Sequence, residues 1–496
     1  MDKQTALIDA TFGSRVAEEE LEGLRSYFVE TEHWRKLFNG DIDIVYGPKG
    51  AGKSALYSLL VGERERLRLG RRTVFIAAEN PRGTPAFRDL ASDPPTSEEQ
   101  FKGLWKIYFL TLLANYFRHH LETTHTTNAI ATEVIDVLTK NDLLAANLTL
   151  IGRLNAALHY IRNRLPSLEA SYTDPGTGAV LSGKITLSEP TTEQRNKGFI
   201  STDDLLEKLN RGFQQTAITV WLILDRLDVA FLEAEQLEKN ALRSLFRVYL
   251  DMSVYSQIAI KIFLRDDIWR RISSDGFREA SHITRSLTLS WNSQSLLNLI
   301  VRRLAHNESV CAFYGMKRED VLANVDLQKK FFYRVFPEKI DIGPKQPSTL
   351  DWMLSRVADG SKRYAPREMI HLLSVSRDEQ LKSYEVGGGQ PIGEALFDRS
   401  AIRAALPEVS KARYEQTLCA ENPQLKTYLD KMAGEKTQHT PHTLEKLWQC
   451  STETASAIAE RLVEAGFFEK RGAKDSPTYW VPFLYRPALS LVQGSA

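Results

Sequence analysis

The sequence predicts an α/β fold, in which a parallel sheet carries a glycine-rich phosphate-binding loop (P-loop), with a helical insertion, a helical lid and a C-terminal winged helix. Three observations predict this class. Residues 47–54 read GPKGAGKS, which fits the spacing G-x-x-x-x-G-K-[ST] at every fixed position. Apolar strands alternate with helical segments over residues 41–291, as in parallel sheets. Three helices followed by a two-stranded hairpin end the chain, which is the pattern of a winged helix.

Length and composition indicate a globular chain of several domains. At 496 residues it is too long for one core, and about two to four domains are expected. The formal net charge of +1 argues against non-specific nucleic-acid binding, which depends on a basic excess. Three widely spaced cysteines indicate a reducing compartment. Because the sequence shows neither a secretion signal nor an apolar run of the ~20 residues that span a bilayer, we expect a cytoplasmic protein without membrane partners.

The predicted organisation has four regions. A helical lead-in occupies residues 1–40, and the α/β core occupies residues 41–291, with a helical insertion and loop at about 85–200. A helical lid follows at 292–386, and a helical and winged-helix region at 391–496. Inside the core, strands are expected at 42–46, 73–78, 218–224, 258–264 and 286–291. Residues 171–200 show little apolar periodicity and are expected to form a loop.

The P-loop supplies the chemistry for binding a triphosphate. It consists of Gly47, Pro48, Lys49, Gly50, Ala51, Gly52, Lys53 and Ser54. Its glycines let the backbone wrap around phosphates with the N–H groups pointing inward, and the following helix adds the positive end of its dipole. We expect Lys53 to reach the β- and γ-phosphates and the Ser54 hydroxyl to bind Mg²⁺.

ATP with Mg²⁺ is the expected ligand. The segment 139–142 reads TKND and resembles a guanine-specificity element. However, it lies inside the helical insertion and precedes the strand at 218–224, which is the wrong order for that element. We therefore expect ATP rather than GTP.

Asp225 is the expected second Mg²⁺ ligand. It ends the apolar strand 218–224, as a Walker B aspartate does, although capping the next helix is an alternative role. Many ATPases carry a glutamate directly after this aspartate, which polarises the attacking water. Here that position is Arg226, and an arginine cannot act as a base. Asp228 is the nearest carboxylate for the role, the alternative being a helix-start aspartate with slow or partner-dependent turnover.

Arginines after the next strand are candidates for contact with the γ-phosphate. Arg265 ends the strand at 258–264, where a guanidinium would sense the γ-phosphate or would simply pair with Asp266. A further group follows the same strand, and one of its members would reach the ATP of a neighbouring subunit, the alternative being solvated surface charges. The group consists of Arg270, Arg271, Arg278 and Arg285.

The chain resembles the AAA+ and STAND classes of P-loop ATPases over nearly its whole length. The resemblance rests on the helical lead-in, the P-loop, the ILDRLD and FLRDD segments at 223–228 and 263–267, and the lid and winged helix. Similar architecture occurs in KAP-type ATPases and archaeal replication initiators. A bacterial ATPase family is also similar in its FGSRVAEEE-like start and its Tyr485-Arg486-Pro487 end.

The resemblance implies both a nucleotide contact and a biological role. ATP is expected between the sheet domain and the lid, where a lid arginine contacts the γ-phosphate. Arg367, after Pro366, matches that element, although it would otherwise be a solvated residue of a helix's first turn. Related ATPases act as switches or motor subunits, as homo-oligomers or beside an effector protein, frequently in bacterial defence against phage.

The winged helix raises a second interpretation, a DNA-binding initiator-like ATPase that loads or remodels DNA. The wing holds Lys470, Arg471 and Lys474, which favour phosphate contact. The recognition helix over 451–465 is acidic, which disfavours DNA and favours packing or partner binding.

Overall fold

The computed structural model describes residues 2–14, 20–63, 65–68, 71–79, 97–145, 148–164, 184–227, 235–274, 276–473 and 476–496. Contacts divide the chain into two units. The sheet unit comprises Glu32–Pro48 and Lys53–Leu289, and the helical unit comprises Met1–Thr31, Lys49–Gly52 and Ser290–Ala496. Among the described residues, none of the helices combines the length and the apolar composition that a membrane span requires.

The elements follow in chain order. The strands are β1 (Ile44–Gly47), β2 (Glu65–Arg68), β3 (Arg71–Ala77), β4 (Lys184–Thr186), β5 (Phe199–Ser201), β6 (Ile218–Leu224), β7 (Ile258–Arg265), β8 (Ser286–Thr288), β9 (Lys436–His439), β10 (Glu469–Ala473), β11 (Ser476–Trp480) and β12 (Val492–Ser495). The helices of the sheet unit and the lead-in are α1 (Lys3–Ile8), α2 (Leu21–Tyr27), α3 (Glu32–Asn39), α4 (Lys53–Glu63), α5 (Glu98–Thr124), α6 (Ala129–Lys140), α7 (Leu150–His159), α8 (Thr192–Asn196), α9 (Thr202–Gln215), α10 (Glu235–Met252) and α11 (Asp266–Ser274). Those of the C-terminal half are α12 (Ser293–His306), α13 (Glu308–Tyr314), α14 (Arg318–Leu322), α15 (Val325–Val335), α16 (Thr349–Val357), α17 (Pro366–Glu385), α18 (Arg399–Ala404), α19 (Leu406–Arg413), α20 (Lys426–Asp430), α21 (Pro441–Trp448) and α22 (Thr452–Glu464).

A six-stranded sheet organises the sheet unit, in the order β2-β3-β6-β7-β1-β8. All neighbours are parallel except β2 and β3, which are antiparallel. Nearly every residue of β1, β6 and β7 is buried, as expected for strands covered on both faces. The P-loop strand β1 and the strand β6 before Asp225 are therefore separated by one strand, β7. This confirms the predicted parallel α/β sheet.

The helical insertion differs from the prediction in one segment. Residues 171–200 were expected to form a loop, but β4 pairs in parallel with β5, and α8 lies between them. These strands are too short for a periodic pattern in the sequence. The other part of the predicted loop, up to residue 183, lies outside the described residues. The 27-residue helix α5 packs on α10, where Trp105 Nε1 donates to Ala241 O at 2.9 Å.

Ala217, which follows α9, has a left-handed backbone with φ +55° and an exposed side chain. A residue in this position after a helix is usually glycine. We expect Ala217→Gly to raise the free energy of unfolding by about 0.5–1 kcal/mol, because relief of the left-handed strain exceeds the entropy that glycine loses on folding. Urea unfolding measures the change. Ala323→Gly is the control, since Ala323 has φ −60° and should give the opposite sign.

The helical unit ends in the predicted winged helix. Its four-stranded sheet has the order β10-β11-β9-β12, with β10 and β11 as the antiparallel wing. Helices α21 and α22 pack on each other and bury Leu444, Ile458 and Leu462. Strand β12 pairs in parallel with β9 and had no counterpart in the prediction, because its sequence, VQGS, carries no apolar alternation. The structure thus confirms the predicted fold class.

Candidate functional site

The phosphate loop has the backbone that its glycines predict. Strand β1 ends at Gly47 and α4 begins at Lys53. Between them, Gly50 and Gly52 have φ values of +81° and +100°, a region that residues with a side chain rarely adopt. A Cβ built on Gly52 would meet no described atom within 4 Å. Glycine is therefore required at this position by the backbone conformation and not by crowding.

Lys53 and Ser54 open α4 at the mouth of the loop. Lys53 Nζ donates to Gly47 O at 2.7 Å and to Pro48 O at 3.0 Å. The ammonium group is thus turned over the loop, where phosphate oxygens are stronger acceptors than these carbonyl groups. Ser54 lies in the first turn of an 11-residue helix, whose amino terminus favours an anion.

Asp225 lies directly after β6 and is 3 % exposed. Leu224 pairs with Ile262 of β7, which pairs in turn with Ile44 of β1. Two strand spacings place β6 about 10 Å from β1. Because all three strands are parallel, Asp225 lies at the edge of the sheet from which the P-loop leaves β1.

Tyr57 connects Asp225 to the start of α4. It lies one helical turn after Ser54, on the same face of the helix. Burial raises the pKa of the Tyr57 hydroxyl, and the negative charge of Asp225 raises it further. Asp225 therefore lies within electrostatic reach of Tyr57 on α4.

The segment after Asp225 contains the residue predicted to be the catalytic base of ATP hydrolysis. Arg226 has a left-handed backbone with φ +57° and is half-buried. Asp228, the predicted base, lies outside the described residues.

Arg265 lies beside the P-loop but pairs with a different residue than expected. Its register partner on β1 is Gly47. Its guanidinium donates from Nε to Asp267 Oδ1 at 3.0 Å and from Nη2 to Asp267 Oδ2 at 2.8 Å, so the predicted alternative partner, Asp266, is wrong. Burial raises the pKa of Asp267, but the Arg265 charge outweighs it and the pKa is lowered. Two parallel bonds fix the guanidinium plane next to Gly47.

The arginines considered for a neighbouring subunit's ATP differ in their surroundings. Arg271 pairs with Glu238 at 2.8 Å, and Arg285 pairs with Asp43 at 2.6 Å. Arg270 is 53 % exposed, and its nearest carboxylate is 3.8 Å away. Arg278 is exposed. Arg270 and Arg278 therefore remain the better candidates for a contact in trans.

Comparisons with known proteins give distant structural likenesses. No protein-family profile and no curated protein matches the chain. Among solved structures, Cdc6p from Pyrobaculum aerophilum is similar at a TM-score of 0.28 and 10% identity, covering 97% of this chain and 96% of that one. The ORC2 protein of Aeropyrum pernix, in ADPNP–ADP complexes, is similar at a TM-score of 0.29 and 12% identity, covering 95% and 93%. The fold class rests on the strand order and the P-loop.

Within the helical unit, Arg367 lies against the tip of the P-loop. A Cβ built on Gly50 would lie 3.1 Å from Arg367 Cβ, so this glycine also permits a close approach. Arg367 is the second residue of α17. Arg367, the residue predicted to contact the γ-phosphate, thus packs closely against Gly50 of the loop.

Further contacts at the loop tip had no signal in the sequence. Trp291 Nε1 donates to Ala51 O at 2.8 Å. Lys49 Nζ pairs with Glu421 Oε1 at 2.8 Å and lies 3.4 Å from Gln416 O. Each partner is hundreds of residues away in the chain, and none belongs to a recognisable motif. The loop tip, Lys49–Gly52, is thus held by contacts with other parts of the helical unit, to which it belongs.

The residue after Arg367 anchors α17. Glu368 is 4 % exposed and accepts a hydrogen bond from Arg413 Nη1 at 3.0 Å. Arg413 Nε also lies 3.5 Å from the hydroxyl of Tyr485, a fully buried residue. Burial raises the pKa of the Tyr485 hydroxyl to about 12, so it stays a neutral hydrogen-bonding group. This cluster ties the first turn of α17 to α19 and to the C-terminal segment.

The residues present fit a nucleotide triphosphate with Mg²⁺. The loop offers an open glycine turn, a lysine and a helix amino terminus for phosphates. The Ser54 hydroxyl and the Asp225 carboxylate are hard oxygen ligands of the kind that Mg²⁺ prefers. Phosphate oxygens and water would supply the remaining ligands.

Proposed function

We propose that this protein binds ATP with Mg²⁺ and hydrolyses it as an AAA+- or STAND-like molecular switch or motor subunit. One observation carries the proposal: a P-loop with two left-handed glycines and Lys53 leaves β1, and the buried Asp225 ends β6 at the same edge of the sheet.

Each residue has a proposed role. The backbone N–H groups of Lys49–Ser54 bind the phosphates, and Lys53 contacts the β- and γ-phosphates. Ser54 and Asp225 hold Mg²⁺, which neutralises the charge that develops on the phosphates. Arg265 and Arg367 contact the γ-phosphate and distinguish ATP from ADP.

The switch would act through the loop tip. Lys49, Gly50 and Ala51 belong to the helical unit and lie against Glu421, Arg367 and Trp291, so a change of the loop on ATP binding would alter those contacts directly. We propose that residues 292–386 act as the lid and that 391–496 carry the response to a second subunit or an effector protein. A role in bacterial defence against phage rests on the sequence resemblance alone.

Phosphate release from ATP tests this function. The purified protein is expected to release phosphate from Mg-ATP without a phosphorylated acceptor and to prefer ATP to GTP. The assay is run with and without DNA, because a partner can control the rate. If ATP neither binds nor turns over in either condition, the proposed function is wrong.

A second candidate function, DNA contact, is favoured by a cationic cluster at the wing. Arg471 and Arg486 lie over the Trp480 ring at 4.0 and 4.6 Å, and Arg486 and Arg356 lie over the Phe483 ring at 4.0 and 3.9 Å. Burial lowers the pKa of Arg486, and repulsion from Arg356 and Arg471 lowers it further, to about 10. A cluster of like charges favours an anionic partner.

The recognition helix argues against a conventional contact through α22. Glu453 and Glu464 lie on this helix, as does Glu460, which pairs with Lys470 of the wing at 2.6 Å. Acidic side chains repel phosphates. Any DNA contact would therefore come from the wing and the arginine cluster.

The salt dependence of DNA affinity tests this second function. If it holds, affinity for a labelled duplex falls as the salt concentration rises. Replacing both Lys470 and Arg471 by glutamine is expected to reduce the slope of log affinity against log salt concentration by about 1–2, because fewer phosphate contacts mean that fewer counterions are released on binding. Fluorescence anisotropy measures both. Lys330→Gln is the control, since Lys330 is an exposed residue of α15 outside the wing. Absence of binding at low salt would remove this function.

A further inference from the structure

Glu79 lies beside Asp225 at the end of the neighbouring strand. Ala77 of β3 pairs with Ile223 of β6, and the Ala78 N–H donates to Ile223 O at 2.8 Å. Continued by two residues beyond the Ala77–Ile223 pair, the same register brings Glu79 opposite Asp225. Adjacent strands are about 4.8 Å apart, so the two residues are close neighbours. Glu79 is 0 % exposed, which is rare for a glutamate.

Two tyrosines fix the end of β3 against helices. The Tyr57 hydroxyl, from α4, donates to Glu79 O at 2.5 Å. The Tyr108 hydroxyl, from α5, donates to Ala78 O at 2.8 Å. Because Tyr57 lies one turn after Ser54, Glu79 is held close to the start of the P-loop helix.

The charges around Tyr57 agree with this placement. Burial raises the pKa of its hydroxyl most, and the negative charges of Asp225 and Glu79 both raise it further. Two carboxylates therefore lie near one phenol. Buried like charges are unfavourable by themselves, and Mg²⁺ near Asp225 would offset that cost.

The hydrolysis step needs a carboxylate that β6 does not supply. The residue after Asp225 is Arg226, which cannot take a proton from water. A carboxylate on the adjacent strand reaches the same region from the side. Glu79 has a carboxylate that can accept a proton from water, it is buried, and hydrogen bonds fix its backbone.

We propose that Glu79 orients the attacking water and accepts its proton during ATP hydrolysis, an inference that rests on the proposed ATPase function. The water oxygen bonds to the γ-phosphorus while the P–O bond between the β- and γ-phosphates breaks. ADP leaves with the electron pair of that bond. The proton on Glu79 then passes to the released phosphate, which restores the carboxylate.

The test separates binding from turnover in the full-length protein. Wild type, Glu79→Gln, Glu79→Asp and Asp228→Asn are compared in equilibrium ATP binding and in phosphate release at saturating Mg-ATP. We expect Glu79→Gln to keep its ATP affinity and to lower kcat by about 100-fold or more, and to lower it further than Asp228→Asn, which removes the carboxylate predicted from the sequence. Glu238→Gln is the control, a buried glutamate of the same unit that pairs with Arg271.

The outcomes distinguish two failures. If wild type binds ATP without turnover in any condition, the hydrolysis part of the proposed function fails, and the role of Glu79 fails with it. If wild type turns over and Glu79→Gln keeps its kcat, only the role of Glu79 is overturned. If Glu79→Gln also loses ATP binding or thermal stability, Glu79→Asp decides whether Glu79 is the base. It keeps a carboxylate, so its kcat must exceed that of Glu79→Gln by at least about tenfold, and a smaller difference overturns the role of Glu79.

Discussion

Asp225→Asn is expected to lower the rate of ATP hydrolysis by about 100- to 1,000-fold. The amide fills the same space but removes the negative charge that holds Mg²⁺ beside Ser54. Asp225 is 3 % exposed, so water cannot take over its role freely. The measurement is kcat for phosphate release over a range of Mg²⁺ concentrations, and the variant should need more Mg²⁺ for its residual activity.

Asp266→Asn is the matched control for this variant. Asp266 follows the neighbouring strand β7, as Asp225 follows β6, but it opens α11 and lies near Arg270. We expect its kcat and its Mg²⁺ dependence to stay close to those of wild type. Equal loss in the two variants would mean that any aspartate at this edge matters only for folding.

Glu20→Ala is expected to lower the free energy of unfolding by about 3–5 kcal/mol. Glu20 and Arg303 form a two-bond ion pair, with Oε1–Nη1 at 3.2 Å and Oε2–Nη2 at 3.1 Å. Their side chains are 5 % and 6 % exposed. Arg303 also lies over the Tyr27 ring at 4.4 Å and donates to Phe12 O. The variant would leave a buried guanidinium without its carboxylate.

An exposed ion pair of the same unit provides the control. Glu394 pairs with Arg334 at 2.7 Å, but its side chain is 64 % exposed. Glu394→Ala should therefore cost only about 0–1 kcal/mol, because solvent screens the pair. Urea unfolding of both variants measures the difference. A similar, small loss in both would show that burial adds nothing to the Glu20 pair.

The sequence was sufficient to predict elements that have a repeated residue pattern or a motif of fixed spacing. Strand β6 was predicted to the residue, because a strand covered on both faces is apolar throughout. The P-loop was predicted because its chemistry requires fixed spacing. Strands β2, β4, β5, β9 and β12 were missed, since short or polar strands carry no periodicity.

Contacts between distant residues were beyond the reach of the sequence. Arg265 pairs with Asp267 although Asp266 is nearer in the chain, because the first turn of α11 decides which carboxylate faces the guanidinium. Glu79 is a single polar residue after an apolar strand. Only the register of β3 with β6 brings it to Asp225.

Equilibrium ATP binding to wild type and Lys53→Ala tests the central claim most directly. Lys53 Nζ lies over the carbonyl groups of Gly47 and Pro48, where a phosphate would bind. Loss of a charged hydrogen bond is expected to weaken Mg-ATP binding by about 10- to 100-fold. Lys36→Ala, an exposed lysine of α3, should bind as wild type does. Equal ATP affinity in wild type and Lys53→Ala would contradict a triphosphate site at this loop.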